Sequence, residues 1–228
     1  MTNSPTDERP DTRDMRVVHD VFRREYALLP ALVRGVADGD AARAATVAAH
    51  HRLLSELLHI HHTGEDELLW PVLLQQAPES AALVGRMQGQ HDRLVGLLGQ
   101  LADAVPGWAS APDAAGGESV ATVLDELRAA LEEHLTEEES EVLPLCEEKM
   151  TSAQWVAIGE HGRSHVPPDR VFLVFGMMLE DAPPAAATMM LAGLPPEVQE
   201  AWAAMGQDAY ADYVRRVRGD RFGGDSAK

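Results

Sequence analysis

From Asp14 onward, apolar residues recur every three or four positions, and no stretch alternates with the period of two that a half-buried strand requires. The spacing predicts four helices, over 14–38, 41–76, 79–105 and 118–149. Gly39-Asp40, Pro78-Glu79-Ser80 and a 106–117 stretch rich in Gly, Ala and Pro mark the breaks between them. On the second helix Leu54, Leu57 or Leu58, His61, Glu65 and Leu68 trace one stripe. On the fourth, Leu124, Leu127, Leu131, His134 and Glu138 do the same. Helices of this length with mostly short connections predict an all-α, antiparallel up-down four-helix bundle. The expected organisation is a flexible tail over 1–13, the bundle over 14–149, and a smaller C-terminal helical extension over 150–228. In the extension, Thr151-Ser152 caps a short helix running through Trp155 to about Gly162. Proline pairs at 167–168, 183–184 and 195–196 then cut the chain into short segments, and a last helix runs from about Pro196 to Gly219.

The two halves of the bundle repeat one another at chemically awkward positions. Met15-x-x-x-His19-Asp20 on the first helix is echoed by Met87-x-x-x-His91-Asp92 on the third. The second helix carries His61-x-x-x-Glu65-Asp66, with Pro71 ten residues beyond its histidine. The fourth carries His134-x-x-x-Glu138-Glu139, with Pro144 also ten beyond. Trp70 and Leu143 stand before the two prolines. A repeat that keeps His, Glu and Pro in register, and not only leucine, is specific.

Residues four apart on an α-helix share a face, about 6 Å apart along the axis. Each half therefore contributes two imidazoles and one carboxylate, giving the candidate metal ligands His19, His61, Glu65, His91, His134 and Glu138. Buried without partners, such groups would cost at least several kcal/mol, a penalty that cations remove. Six mixed nitrogen and oxygen ligands exceed one tetrahedral zinc and suit two octahedral ions with bridging carboxylates. Iron is the first choice, ahead of manganese or zinc.

At these residues the sequence resembles the haemerythrin-like family, whose bundles carry the cation-binding pattern His, His-x-x-x-Glu, His, His-x-x-x-Glu. The resemblance covers about residues 15–148, and the segments HTGEDELLWP and HLTEEESEVLP are similar to the family's second- and fourth-helix signatures. It implies two non-haem iron ions, oxo- or hydroxo-bridged and also bridged by Glu65 and Glu138. It further implies chemistry with a small diatomic or peroxide ligand: oxygen binding, nitric oxide handling or peroxide breakdown. Two positions depart from the family's oxygen carriers. Those supply a fifth histidine four residues before the lone histidine of the third helix, where this chain has Met87. They also end the fourth-helix motif with an Asp at five, where this chain has Glu138 at four and Glu139 at five.

Other groups carry bland expectations. His50, His51, His59, His161 and His165 read as surface or ordinarily hydrogen-bonded histidines. His62 and Asp66 share the spacing of His61 and Glu65, but the proline register favours the latter pair and turns the former toward a flank. Tyr26, two turns beyond His19, could approach the metals. Glu137 to Glu139 with Glu141 reads as a solvated charge run from which phase lifts only Glu138. Met15 and Met87 read as core filling, Cys146 as structural, and the Arg215-Arg216-Val217-Arg218 cluster as complementing its own helix dipole. Trp155, Phe172, Phe175, Trp202 and the nearby methionines form either a cover over the bundle that restricts access to the metals, or extra core or a homodimer interface.

Composition narrows the function classes. Nineteen Lys and Arg against 37 Asp and Glu leave a formal charge of −18, which argues against nucleic acid or an anionic membrane surface as partner. A single cysteine excludes a disulfide framework within the chain. Met1 to Asp14 holds no apolar leader, and the longest apolar run, Val171 to Leu179, is too short to span a bilayer, so a cytoplasmic location is expected.

Overall fold

Residues 9–219 are described in the computed structural model of the chain, and the periodic segments fold into four rods. The first is α1 (Arg13–Arg34). The second runs from α2 (Ala41–Gly64) through a π-turn over Glu65–Leu69 into α3 (Trp70–Gln76). The third is α4 (Ala81–Ser110). The fourth joins α5 (Ala114–Glu137), a second π-turn over Glu138–Val142 and α6 (Leu143–Lys149). Asp40 caps α2 by accepting the Arg43 N–H at 3.0 Å, and Asp113 caps α5 by accepting the Gly116 N–H at 2.6 Å. Each cap satisfies a first-turn donor that the helix cannot, worth about 1 kcal/mol.

α1 packs on α2 and α5, and α4 packs on the same two helices, which closes a four-helix ring. Short connections at 35–40, 77–80 and 111–113 reverse the chain each time. The Gly39 N–H donates to the Pro112 carbonyl at 2.8 Å, tying the first and third connections together; its φ of 77° is open to glycine at no steric cost. No strand occurs among the described residues, so the expected all-α bundle is the observed one.

Several boundaries differ from those expected. The first rod ends at Arg34 and not at 38, and the fourth begins at Ala114 and not at 118, where Asp113 caps it. The third rod does not stop at 105 but runs through Pro106 to Ser110. Trp108, buried in those added turns, packs against the first turn of α5, where a Cβ on Gly117 would lie 3.4 Å from the indole nitrogen. Burying the indole offsets the proline's missing hydrogen bond. The expected tail over 1–13 is held at its described end. Thr12 is buried and donates to Glu147 at 2.6 Å, and the Ser152 hydroxyl donates to the Arg9 carbonyl at 3.2 Å. Residues 1–8 lie outside the described residues. Finally, the unit built on the bundle ends at His165 and not at 149. It includes α7 (Ser152–His165), because Trp155 and Ile158 are buried with Met15, Leu69, Trp70, Leu143 and Cys146.

The second unit begins at Val166 and contains α8 (Val171–Glu180), α9 (Pro184–Ala192), α10 (Pro196–Ala201), a π-turn over Trp202–Gly206 and α11 (Gln207–Arg218). Phe175 meets Trp202 edge-on at 5.1 Å, with Phe172 at 6.0 Å. Trp155 is extra core of the first unit, one of the two alternatives expected for it. Arg218 is buried and grips Glu180 of α8, one contact being 2.9 Å, and the Tyr210 hydroxyl donates to the same carboxylate. The last arginine of the cluster thus clamps two helices together. No helix among the described residues is long and apolar enough to cross a membrane.

Candidate metal centre

Pro71 and Pro144 explain where the two π-turns fall. Proline donates no hydrogen bond and its ring collides with the carbonyl four residues back, so an α-ladder cannot pass it unchanged. Each rod widens by one residue just before its proline, and the Trp70 and Leu143 N–H groups reach back five residues, to the Glu65 and Glu138 carbonyls. The widened turn starts on the glutamate itself in both halves. The repeated proline therefore fixes the local backbone that presents Glu65 and Glu138.

All six predicted residues come together inside the bundle. Glu65 lies 3.1 Å from His61 Nε2 on its own rod and 3.2 Å from His91 Nε2 of the other half. Glu138 mirrors it, 3.7 Å from His134 Nε2 on its own rod and 3.3 Å from His19 Nε2. His62 joins them. Two sets of potential ligands result, His62–Glu65–His91–His134 and His19–His61–Glu65–Glu138, with the donor atoms of each set within 4.8 Å of one another. Glu65 is common to both. The Nε2 atoms of all five histidines and all four carboxylate oxygens are buried with no aligned hydrogen bond.

The far side of three rings is held by acceptors. His19 Nδ1 stands 2.9 Å from Glu139 Oε1, His91 Nδ1 stands 3.0 Å from Asp66 Oδ1, and His134 Nδ1 stands 3.1 Å from Gln90 Oε1. An Nδ1–H directed at each acceptor leaves the Nε2 lone pair facing inward, the tautomer a metal needs. Burial keeps His61 and His62 well below the ordinary imidazole range and lowers His134 to about 4. At His19 burial opposes protonation, but Glu138 and Glu139 outweigh it and lift the ring to about 9. Burial first, and Glu138 next, push Glu65 up. At Glu138 burial is the largest single influence, but His19, with His61 and His134, outweighs it and holds the carboxyl down. Two carboxylates packed this closely in a buried core, with unpartnered Nε2 atoms from five rings around them, fit multivalent cations that would displace the His19 proton.

Over residues 11–146 the sequence matches the Hemerythrin HHE cation binding domain. The chain belongs to that family. No curated protein and no solved structure matches it. An HHE domain is a metal-binding helical domain, and the two His/Glu sets above are where this one can hold a cation.

The HHE site uses more of the sequence than its motif shows. His62, expected on a flank, is buried: its ring stacks on His91 at 4.0 Å and meets His134 edge-on at 5.1 Å. Asp66 does take the flank and braces His91. The charge run is not merely solvated. Glu137 accepts from Gln90 at 2.6 Å and so aims that amide at His134, and Glu139 braces His19 while Arg16 (3.0 Å) and Arg23 (2.6 Å) hold its carboxylate. Adjacent glutamates diverge by about 100° on a helix, so neighbours in sequence serve different partners here. Tyr26 is fully buried beside Ser55, a residue six positions and so about 9 Å along the axis before His61. His50 and His51 are buried, His50 Nε2 standing 3.2 Å from Glu25 and His51 Nε2 3.3 Å from the Ser55 hydroxyl, the ordinary hydrogen bond expected. His59 and His165 are exposed, while the half-buried His161 of α7 packs on Gly64, where a Cβ would stand 3.1 Å from its ring. Cys146 and Met87 are buried core, as expected.

Glu139→Ala is expected to weaken metal binding by about 10- to 100-fold in chelator competition, because His19 loses the acceptor that orients it. Glu139→Gln, which keeps an acceptor oxygen, should recover much of that. Wild-type affinity in the alanine variant would show that the brace contributes nothing.

Proposed function

We propose that this chain is a non-haem di-iron protein that binds or activates a small oxidant or gas, namely dioxygen, peroxide or nitric oxide, in redox or detoxification chemistry. The observation that supports this most is the shared carboxylate. Glu65 belongs to both ligand sets, so two cations would lie side by side with one side chain between them. Glu138, whose Oε2 faces His19 at 3.3 Å and His134 at 3.7 Å, is placed to do the same from the opposite rod. Nitrogen and oxygen ligands together suit iron better than soft-ligand metals.

Bound iron would supply Lewis acidity toward a small molecule and electrons for its reduction. The chain's own residues supply the rest. Glu139, Asp66 and Gln90 hold protons on Nδ1 and keep the three rings in one orientation. Leu69, Trp70, Met87, Val142 and Leu143 are fully buried and exclude water from one side of the site. Phe22, 5.4 Å from the His61 ring, lines the site from α1. A site this deeply buried suits a diatomic or peroxide better than an organic substrate.

Metal analysis with an absorption spectrum tests the proposal. Two irons per chain and a near-ultraviolet charge-transfer band are expected, followed by peroxide or dioxygen consumption over many turnovers. A colourless, zinc-loaded protein that refuses iron would overturn the reading. Stoichiometric, reversible uptake without turnover would retain the iron pair but make the protein a carrier.

A further inference from the structure

His61 and His62 are adjacent, and adjacent side chains on an α-helix diverge by about 100°. Two neighbouring histidines can both face a buried site only if that site lies across the direction between them. They do so here, and they separate cleanly. His61 belongs with His19, its ring 5.2 Å from that ring, whereas His62 belongs with His91 and His134. The His62 Nε2 is buried and makes no hydrogen bond, an unmet polar atom that a cation would satisfy. Position 87, one turn before His91 on α4, offers no nitrogen: Met87 is fully buried in the apolar cluster with Leu69 and Trp70.

We propose that His62 is a metal ligand, supplied by the second rod, and that it makes the two ions inequivalent. One ion takes three imidazoles, from His62, His91 and His134, and the other takes two, from His19 and His61, with Glu65 between them. This rests on the di-metal reading above. The six-residue repeat alone would give each ion an equal share, since His62 has no histidine counterpart: the residue after His134 is Leu135. One ring nitrogen of His62 lies within 4.8 Å of one from His91, one from His134 and a Glu65 carboxylate oxygen, close enough for one ion to draw them together.

The test titrates iron(II) into the apo form of the full chain and of His62→Leu, which keeps an apolar side chain in the space of the ring. Loss of a ligand should cost more than loss of a brace, so the expected result is one site weakened by at least about a hundredfold and the other nearly unchanged. In His62→Gly, added imidazole should restore the lost site. Folded His62→Leu with both affinities and the spectrum of the wild type would overturn the assignment and leave His62 a packing residue. Should the variants fail to fold, the cobalt(II)-loaded wild type decides. Its proton NMR spectrum should show hyperfine-shifted ring signals from five imidazoles, two on one ion and three on the other, and four would overturn the proposal. Failure of the wild type to bind any second ion would instead remove the di-metal reading on which the assignment stands.

Discussion

Glu138→Ala should abolish paired metal binding. The carboxylate faces His19 at 3.3 Å and His134 at 3.7 Å from within the bundle, and no other acidic group on the fourth rod points inward, because Glu137 and Glu139 turn out to Gln90 and His19 Nδ1. The expected result is a fall from two irons per chain to one or none. Stability should follow occupancy. A ligand that binds only the folded state stabilises it by about 2.7 kcal/mol at a hundredfold excess over its dissociation constant. Added iron(II) should raise the melting temperature of the wild type and have little effect on the variant. Equal iron content, the same absorption band and the same stabilisation in Glu138→Ala would show that this carboxylate does not bridge.

Trp70→Ala should be the most destabilising single change near the site. The indole is 1% exposed at the centre of the cluster that includes Leu69, Leu73, Met87, Leu143 and Trp155. Truncating a buried aromatic of this size costs about 3–5 kcal/mol. Trp70 also donates from Nε1 to Asp66 Oδ1 at 2.9 Å, and Asp66 braces His91. Trp70→Phe separates the two effects, since it keeps most of the packing and removes only the donor. We expect it to lose about 1 kcal/mol in denaturant unfolding and to bind metal more weakly. Metal affinity equal to that of the wild type in Trp70→Phe would show that the Trp70–Asp66–His91 chain does not position the ring. The other half solves the same problem differently: Leu143 has no donor, and Glu139 is held by Arg16 and Arg23 instead.

Both contrasts show which parts of the site were legible in one dimension. The His-x-x-x-Glu pairs could be found because four residues bring two side chains to one helical face, and the repeated proline confirmed the register. Asp66 and Glu139 lie one residue further on in both halves, so the repeat contained them too, but charge at a helix surface is common and gave no reason to single out Glu139. His62 broke the repeat and was placed on a flank. Its inward position depends on the site spanning the arc between neighbouring residues, a width set by α4 and α5 packing across it. Gln90 carried no signal, since an amide becomes a brace only when a histidine from another rod arrives beside it.

Local chain chemistry was enough for the four helical rods, the break at Gly39-Asp40, the all-α bundle and the repeated His/Glu pattern, because these depend mainly on spacing within one rod, whereas the cap at Asp113 went unread. Packing between rods decided the rest: that Pro106 lies inside a helix, that α7 completes the first unit, that Glu65 is common to both ligand sets, and that His62 faces inward. Those outcomes turn on which atoms lie across a contact. Helical periodicity specifies the direction a side chain leaves its own axis, and only the neighbouring helix determines what it meets.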